Sequence, residues 1–350
     1  MTKALKNPFR GDGLDPLGLM PVADASGVAG LLALCPVHQP TPLTDAPAIA
    51  NLAGVARVSI KDERGRMGLG SFKALGAVHA IAREAVAPVG RDAEALATAL
   101  NGETFVAASA GNHGLSVAAG ARIFGANAVI YLSQTVPEAF AQRLATFGAK
   151  VVRAGADYEA SMTAAMEAAE DKGWTLLSDS SWPGYTELPL RVMEGYTQMA
   201  AEAVSQIDAP PTHILLQAGV GGLAAAVAAH ARLAWGDEPQ IIVVEPDAAP
   251  ALIDSIAAGK LVTSEGPVSS MGRLDCKTPS MIAFAGLSRD ADSFVTITED
   301  EAASGVATLA QHGFATTPSG GAGLAALLAG LDLGADARVL AILSEGPEDG

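Results

Sequence analysis

Two cysteines, Cys35 and Cys276, in 350 residues leave no basis for a disulfide framework. They form no Cys-x-x-Cys pair, and the histidines show no zinc-binding spacing, so no metal is expected. Basic residues are scarce as well: 22 Lys and Arg face 38 Asp and Glu, a formal net charge of -16. Such a surface repels polyanions at long range, which argues against nucleic acid or an anionic membrane as partner. A local basic pocket for a small anion is still allowed. No apolar run reaches bilayer-spanning length before glycine, or a polar or charged residue, breaks it. The opening stretch "MTKALKNPFRGDGLDP" lacks the apolar centre of a secretory signal. The expectation is a soluble, cytoplasmic protein in a reducing compartment.

What the chain has is apolar residues, 49% of the total, enough for a sizeable core. Its length suggests about two domains. The first forty residues, rich in Pro and Gly, read as irregular. "VARVSIKDE" reads as a strand from Val55 to Lys61, and "SFKALGAVHAIAREA" as a helix with Ser71 as N-cap. "TFVAAS", "ANAVIYLS", "AKVVRAG", "WTLLSD", "HILLQAG" and "QIIVVEP" are short apolar runs separated by helical stretches. That alternation predicts an α/β fold with parallel sheets covered on both faces. Residues 86–184 carry their own strand–helix series and are expected to form a smaller α/β domain. Residues 1–85 and 185–350 would form the larger one.

Three short stretches carry chemistry. In "AGVGG", Gly219, Gly221 and Gly222 follow a strand and open a helix, so backbone N–H groups can converge on a phosphate. A tight strand–helix turn is the plain alternative. Glu245 ends the next strand where a dinucleotide site would place its ribose acid, but the glycines are not spaced G-x-G-x-x-G. In "SAGNHG", Asn112 is either a helix cap or an anion-binding amide, and His113 is equally readable as structural. In "GLGSFKALGA", Lys73 sits among small and apolar residues. It is a surface amine or a desolvated one, and desolvation would ease loss of its proton and make it a nucleophile toward a carbonyl. A carbonyl compound that also needs a phosphate loop is pyridoxal 5'-phosphate, which would unite the three stretches in one site.

With these motifs in this order, the chain resembles the fold-type II pyridoxal-phosphate enzymes of the threonine dehydratase and tryptophan synthase β superfamily. "SFKALGA" resembles the Schiff-base lysine region, "SAGNHG" the substrate and cofactor loop, "GVGG" the phosphate loop, and "LSEG" the strand end facing the pyridine nitrogen. "SIKDERGRMGLGSFKALG", "SDSSWPGYTELPLRVMEGY" and "MGRLDCKTPS" are similar to segments of the diaminopropionate ammonia-lyases. The resemblance implies two open twisted α/β domains with the cofactor between them, and a homodimer. It implies that Lys73 carries the cofactor and removes the α-proton of a small amino-acid substrate. Gly219, Val220, Gly221, Gly222 and Leu223 would surround the phosphate, and Phe72 would flank the ring. Asn112 would bond the 3-hydroxyl, and Ser344 would face the ring nitrogen. Ser109, Ala110, Gly111 and His113 would form the carboxylate-binding turn.

Asp179, Tyr185 and Glu187 are candidates for contacts to the substrate or the leaving group, with a structural polar network as the alternative. The implied reaction is β-elimination, giving a 2-oxo acid and ammonia. One departure stands out: the ammonia-lyases resemble "TDGNHG" where this chain has "SAGNHG", so their aspartate falls on Ala110. A methyl group takes no proton, which implies L-substrates or a different substrate. The competing readings are a dehydratase of 3-hydroxy amino acids, a racemase using Ser109 on the opposite face, and a non-catalytic anion-binding protein.

Overall fold

The computed structural model describes residues 3–16, 18–109 and 111–347, so Ala110 lies outside the described residues. Among the described residues, eleven strands build two sheets. They are β1 (Ala4–Lys6), β2 (Leu43–Asp45), β3 (Arg57–Asp62), β4 (Thr104–Ala108), β5 (Asn127–Leu132), β6 (Lys150–Arg153), β7 (Thr175–Leu176), β8 (His213–Gln217), β9 (Gln240–Pro246), β10 (Ser293–Ile297) and β11 (Arg338–Leu343). One sheet has the order β1-β10-β9-β8-β11-β3-β2, the other β6-β5-β4-β7. The expected α/β architecture is present, with parallel pairing throughout the four-stranded sheet and in the middle of the larger one. The edges differ from expectation: β1 and β2 pair antiparallel, with β10 and β3. The first forty residues are therefore not wholly irregular, since β1 and a short helix, Val28–Leu32, lie within them. A three-residue edge strand carries too few residues for a visible two-residue period.

The apolar runs of the central strands follow from burial of both faces. Ile214 and Leu216 of β8 join the core on one face, while Leu215 joins the core on the other. Leu340 and Ile342 of β11 alternate with Val339, Ala341 and Leu343 in the same way. The first core continues into the four-stranded sheet through Phe105, Ala107, Ile130 and Leu132.

The helix Lys73–Val89 lies at the junction of the two layers, and glycine sets its distance from both neighbours. A Cβ on Gly76 would stand 2.5 Å from Tyr196 Cε1 and 2.8 Å from the Val192 carbonyl oxygen. A Cβ on Gly195, in the helix Glu187–Gln206, would stand 2.5 Å from the Leu75 carbonyl oxygen and 2.9 Å from Gly76 Cα. On the other side, a Cβ on Gly120, in the helix Asn112–Ile123, would meet Ile81 Cδ1 at 2.9 Å. The central helix is thus in near-backbone contact with a helix of each layer.

A buried ion cluster braces the strand that leads to this helix. Lys61 Nζ donates to Glu202 Oε2 at 2.7 Å and to the Thr41 carbonyl at 2.6 Å, and Arg66 reaches both Glu202 and Glu63. Burial pushes the Glu202 carboxyl up, but hydrogen bonds and charge from Arg66 and Lys61 outweigh it and hold it at about 2. A depressed carboxyl pKa stabilises the fold above the unfolded value and is lost as pH falls toward the folded one. The stability gap between wild type and Glu202→Gln in urea unfolding is therefore expected to be wide at pH 6 and to narrow below about pH 4.5. A gap independent of pH would remove the assigned charge. For the helix crossing, Gly195→Ala gains about 1 kcal/mol of helix propensity. Its methyl meets backbone, where overpacking costs about 1–3 kcal/mol, so a net loss of stability is expected in the same assay.

Candidate active site

The residues of the site come from the carboxyl ends of parallel strands, where open α/β sheets bind ligands. β4 leads to Ser109–His113, β7 to Asp179, β8 to Gly219–Gly222 and β11 to Ser344 and Glu345. Lys73 opens its helix. The cap position is Phe72, not Ser71, and it has no side-chain cap, yet the Ser71 hydroxyl accepts the Lys73 N–H at 3.2 Å. The Phe72 N–H donates to the Ser344 carbonyl at 3.1 Å, which ties this turn to the end of β11.

Lys73 Nζ forms an ion pair with Asp179, and both side chains are about four-fifths buried. This changes the expected electrostatics. Burial does work against the Lys73 charge, but the Asp179 carboxylate more than compensates and lifts the amine above the ordinary lysine range. Burial would likewise raise Asp179, and the Lys73 ammonium outweighs it, so the carboxyl lies far below its usual range. The pair holds the amine protonated, so burial alone does not make it a nucleophile.

The glycine loop is shaped for an anion. Gly221, at φ +97°, caps the helix Gly222–Trp235, whose first intrahelical bond runs from the Ala225 N–H to the Gly221 carbonyl. The N–H groups before Ala225 have no helical acceptor and carry the positive end of the helix dipole. A Cβ on Gly219 would come within 3.0 Å of the Arg273 carbonyl oxygen and 3.1 Å of Cys276 Sγ, so glycine is required there. Val220 is held by its carbonyl, which accepts from the Ser280 N–H at 3.0 Å, and Leu223 packs into the core. Glu245 takes no part: fully buried, it accepts the N–H groups of Leu252 and Ile253 at 2.7 and 2.8 Å and caps the helix Ala251–Ala258.

The turn after β4 is ordered by its own polar groups. Ser109 Oγ accepts the Gly111 N–H at 3.3 Å, and Gly111 precedes the helix begun by Asn112. Asn112 Nδ2 donates to Glu345, which also pairs with Arg273 Nε at 3.1 Å and accepts from Thr317 Oγ1. His113 Nε2 meets the Leu177 carbonyl at 2.8 Å, so that nitrogen carries the proton and Nδ1 presents a lone pair. Burial lowers the pKa of His113, so it stays neutral. Its ring therefore offers an acceptor, not a donor, at Nδ1.

Two expected residues fall outside the reacting centre. Glu187 is exposed in the first turn of its helix and pairs with Arg191 at i+4, because the helix turns it to solvent. The Tyr185 hydroxyl donates to the Leu176 carbonyl at 2.8 Å and accepts the Ser178 N–H at 3.0 Å, and its ring stacks on Trp182. Tyr185 therefore clamps the loop carrying Asp179.

Other residues enter without having been foreseen. Glu345 and Arg273 line a cavity of about 290 Å³ with Arg64, Asn112 and Arg143. Tyr196, buried beside Lys73, has a hydroxyl with no hydrogen-bond partner. Glu345 and Tyr196 stood in the quoted segments "LSEG" and "SDSSWPGYTELPLRVMEGY", but neither pattern says which side chain turns inward.

A family model described as "Pyridoxal-phosphate dependent enzyme" matches residues 34–345. The chain belongs to this family. It is 33% identical to diaminopropionate ammonia-lyase of Escherichia coli (strain K12) over 341 aligned residues, 89% of this chain and 85% of that protein. It is 31% identical to L-serine dehydratase/L-threonine deaminase of Mus musculus over 65% of this chain and 63% of that one. The crystal structure of the Escherichia coli diaminopropionate ammonia-lyase in complex with D-serine superposes with a TM-score of 0.87 at 30% identity, covering 98% of this chain and 93% of that one. These are fold-type II enzymes, and the fold follows theirs.

The residues present fit pyridoxal phosphate. An amine for its carbonyl, a glycine turn at a helix N-terminus for its phosphate and a buried hydroxyl without a partner lie close together: Tyr196 Cε2 is 3.5 Å from the place of a Cβ on Gly222, and Lys73 Nζ is 5.7 Å from the Tyr196 ring centroid. Among the described residues no helix is long and apolar enough to cross a membrane. For the ion pair, borohydride reduction with pyridoxal phosphate followed by mass spectrometry is expected to place the pyridoxyl group on Lys73 in wild type and in Asp179→Asn. Turnover by Asp179→Asn is expected to fall about 10²-fold or more, the scale of the acid–base catalysis by Lys73, which the ion pair holds in place. A label on another lysine, or full turnover by that variant, would overturn the assignment.

Proposed function

We propose that the protein is a pyridoxal-phosphate-dependent ammonia-lyase that eliminates the β-substituent of L-2,3-diaminopropionate or a close 3-substituted L-amino acid, yielding a 2-oxo acid and ammonia. The observation that carries this reading is the buried Lys73–Asp179 pair set beside a glycine phosphate cradle. The similarity to diaminopropionate ammonia-lyase over most of both chains supports the substrate class. A homodimer in the cytoplasm, serving amino-acid catabolism, completes the proposal. Residues 1–85 with 185–350, and residues 86–184, are proposed as the two domains, a division supported by the separate sheets.

The cofactor, when bound, supplies an electrophilic carbonyl and a conjugated ring that takes up electron density released at the α-carbon. Lys73 would hold it covalently, with Asp179 keeping the side chain in place. The free Lys73 amine would be the group that removes the α-proton on its own side. Gly219, Val220, Gly221, Gly222 and Leu223 would hold the phosphate, and Phe72 would limit tilting of the ring. Gly111 and the first turn of the Asn112 helix would receive the substrate carboxylate through N–H groups, with Ser109 keeping the turn in shape. Asn112 would exchange its bond to Glu345 for one to the ring hydroxyl, and Ser344 would face the ring nitrogen.

The balanced reaction turns diaminopropionate and water into pyruvate and two ammonia, whereas a 3-hydroxy amino acid gives one ammonia and one 2-oxo acid. The similarity to serine dehydratase keeps that second reading open. The deciding measurement is the ratio of ammonia to 2-oxo acid together with initial rates on both substrates. Faster turnover of serine or threonine would replace the lyase reading with the dehydratase one. Because position 110 is alanine, no carboxylate is available there to take a proton from the D-enantiomer. D-diaminopropionate is expected to react about 10²-fold or more slowly than the L-form. Comparable rates would require another base on the opposite side.

A further inference from the structure

Tyr196 poses a problem that packing does not answer. It lies in the helix Glu187–Gln206 with 1% of its surface exposed, and its ring meets Phe72 edge-on at 4.8 Å. Phenylalanine would make the same ring contacts. The hydroxyl, however, is buried without a hydrogen-bond partner, although buried tyrosine hydroxyls ordinarily find one. An unmade hydrogen bond in the interior carries the full desolvation cost of the group.

The surroundings explain what is missing. The ring reaches from the Gly76 turn toward the glycine cradle, with Cε2 3.5 Å from the place a Cβ on Gly222 would take. Lys73 Nζ lies 5.7 Å from the ring centroid. Ammonium and backbone N–H groups are all donors, and the nearby carboxylate of Asp179 is engaged by Lys73. The hydroxyl is thus set among donors, and no acceptor bonds it.

Resting on the cofactor reading above, we propose that Tyr196 donates its hydroxyl hydrogen to the phosphate of bound pyridoxal phosphate, as a side-chain wall of the cradle formed by Gly219–Gly222. The phosphate supplies the missing acceptor, and the helix N-terminus and the phenol then bind one anion from two directions. Burial keeps the phenol protonated, opposed by the Lys73 ammonium through its charge and as a donor toward the oxygen and reinforced by Asp179, so the hydroxyl hydrogen stays available for an acceptor. Tyr196 is a positioning residue: it fixes the phosphate end and so the distance between the ring and Lys73.

The test compares wild type and Tyr196→Phe as cofactor-free protein, using pyridoxal phosphate and pyridoxal, which lacks the phosphate, as probes. Equilibrium dialysis is expected to show pyridoxal phosphate bound about tenfold to a hundredfold more weakly by the variant, the range for one hydrogen bond to a charged group. Pyridoxal is expected to bind both proteins alike. Without ligand, the variant should melt at the same or a higher temperature, because an orphaned hydroxyl has been removed. Equal affinity for pyridoxal phosphate would overturn the proposal. An equal loss for both probes would overturn it too, by moving the hydroxyl's partner to the ring or to Lys73. A lower melting temperature in the ligand-free variant would show that the fold itself already uses the hydroxyl. Failure of wild type to bind pyridoxal phosphate would instead overturn the cofactor reading.

Discussion

The near-contact of the Lys73 helix with the Tyr196 helix is the constraint on which the rest of the site depends. Gly76 and Gly195 let two backbones approach so closely that a methyl group on either would meet a carbonyl oxygen within 2.8 Å. That approach sets Lys73 against Phe72 and Tyr196 and turns the same tyrosine toward the glycine cradle. Gly120 lets the third helix close in from the other layer, so the amine is positioned by both sheets at once. Small residues at a helix crossing exchange side-chain burial for proximity, and proximity is what a covalent cofactor site needs.

Charge is organised around two carboxylates. Asp179 faces Lys73 and keeps its proton within the pair. Glu345 gathers Asn112, Arg273 and Thr317, which come from three distant parts of the chain. Neither carboxylate is exposed enough for water to screen it strongly, so each governs the protonation or orientation of its neighbours. Away from the site, the Lys61–Glu63–Arg66–Glu202 cluster holds the end of β3 rigid just before the turn to Lys73. The active turn is thus tied by ion pairs upstream and by the Phe72–Ser344 backbone bond at its own start.

Much of the architecture was legible because it rests on local pattern. Strands buried on both faces are continuous apolar runs, and these marked β3 to β9 to within a few residues. The antiparallel edges β1 and β2 were not legible, since three residues beside prolines and glycines carry no period. The glycine loop and Lys73 could be singled out because a special backbone or an amine among small residues is itself unusual. Glu187 and Tyr185 were left between a site role and a structural polar network, because the segment they share with Asp179 does not say which side chain turns inward. A helix start turns Glu187 outward, and two backbone bonds engage the Tyr185 hydroxyl.

By itself, the sequence determined the chemistry available: one amine among small residues, a strand–glycine–helix cradle, an asparagine turn, and no ionisable group at position 110. Those follow from residue identity and short-range backbone geometry. The tertiary structure alone decided the proton's location and the hydroxyl's direction. Lys73 and Asp179 are separated by 106 positions, and their pairing reverses the effect that burial alone would have on the amine. Tyr196 is an ordinary helix residue in the sequence, and its ring lies beside the cradle only because two glycines bring its helix against the one that carries Lys73. Electrostatics and unmet hydrogen bonds depend on distances across the fold, and a sequence does not contain those distances.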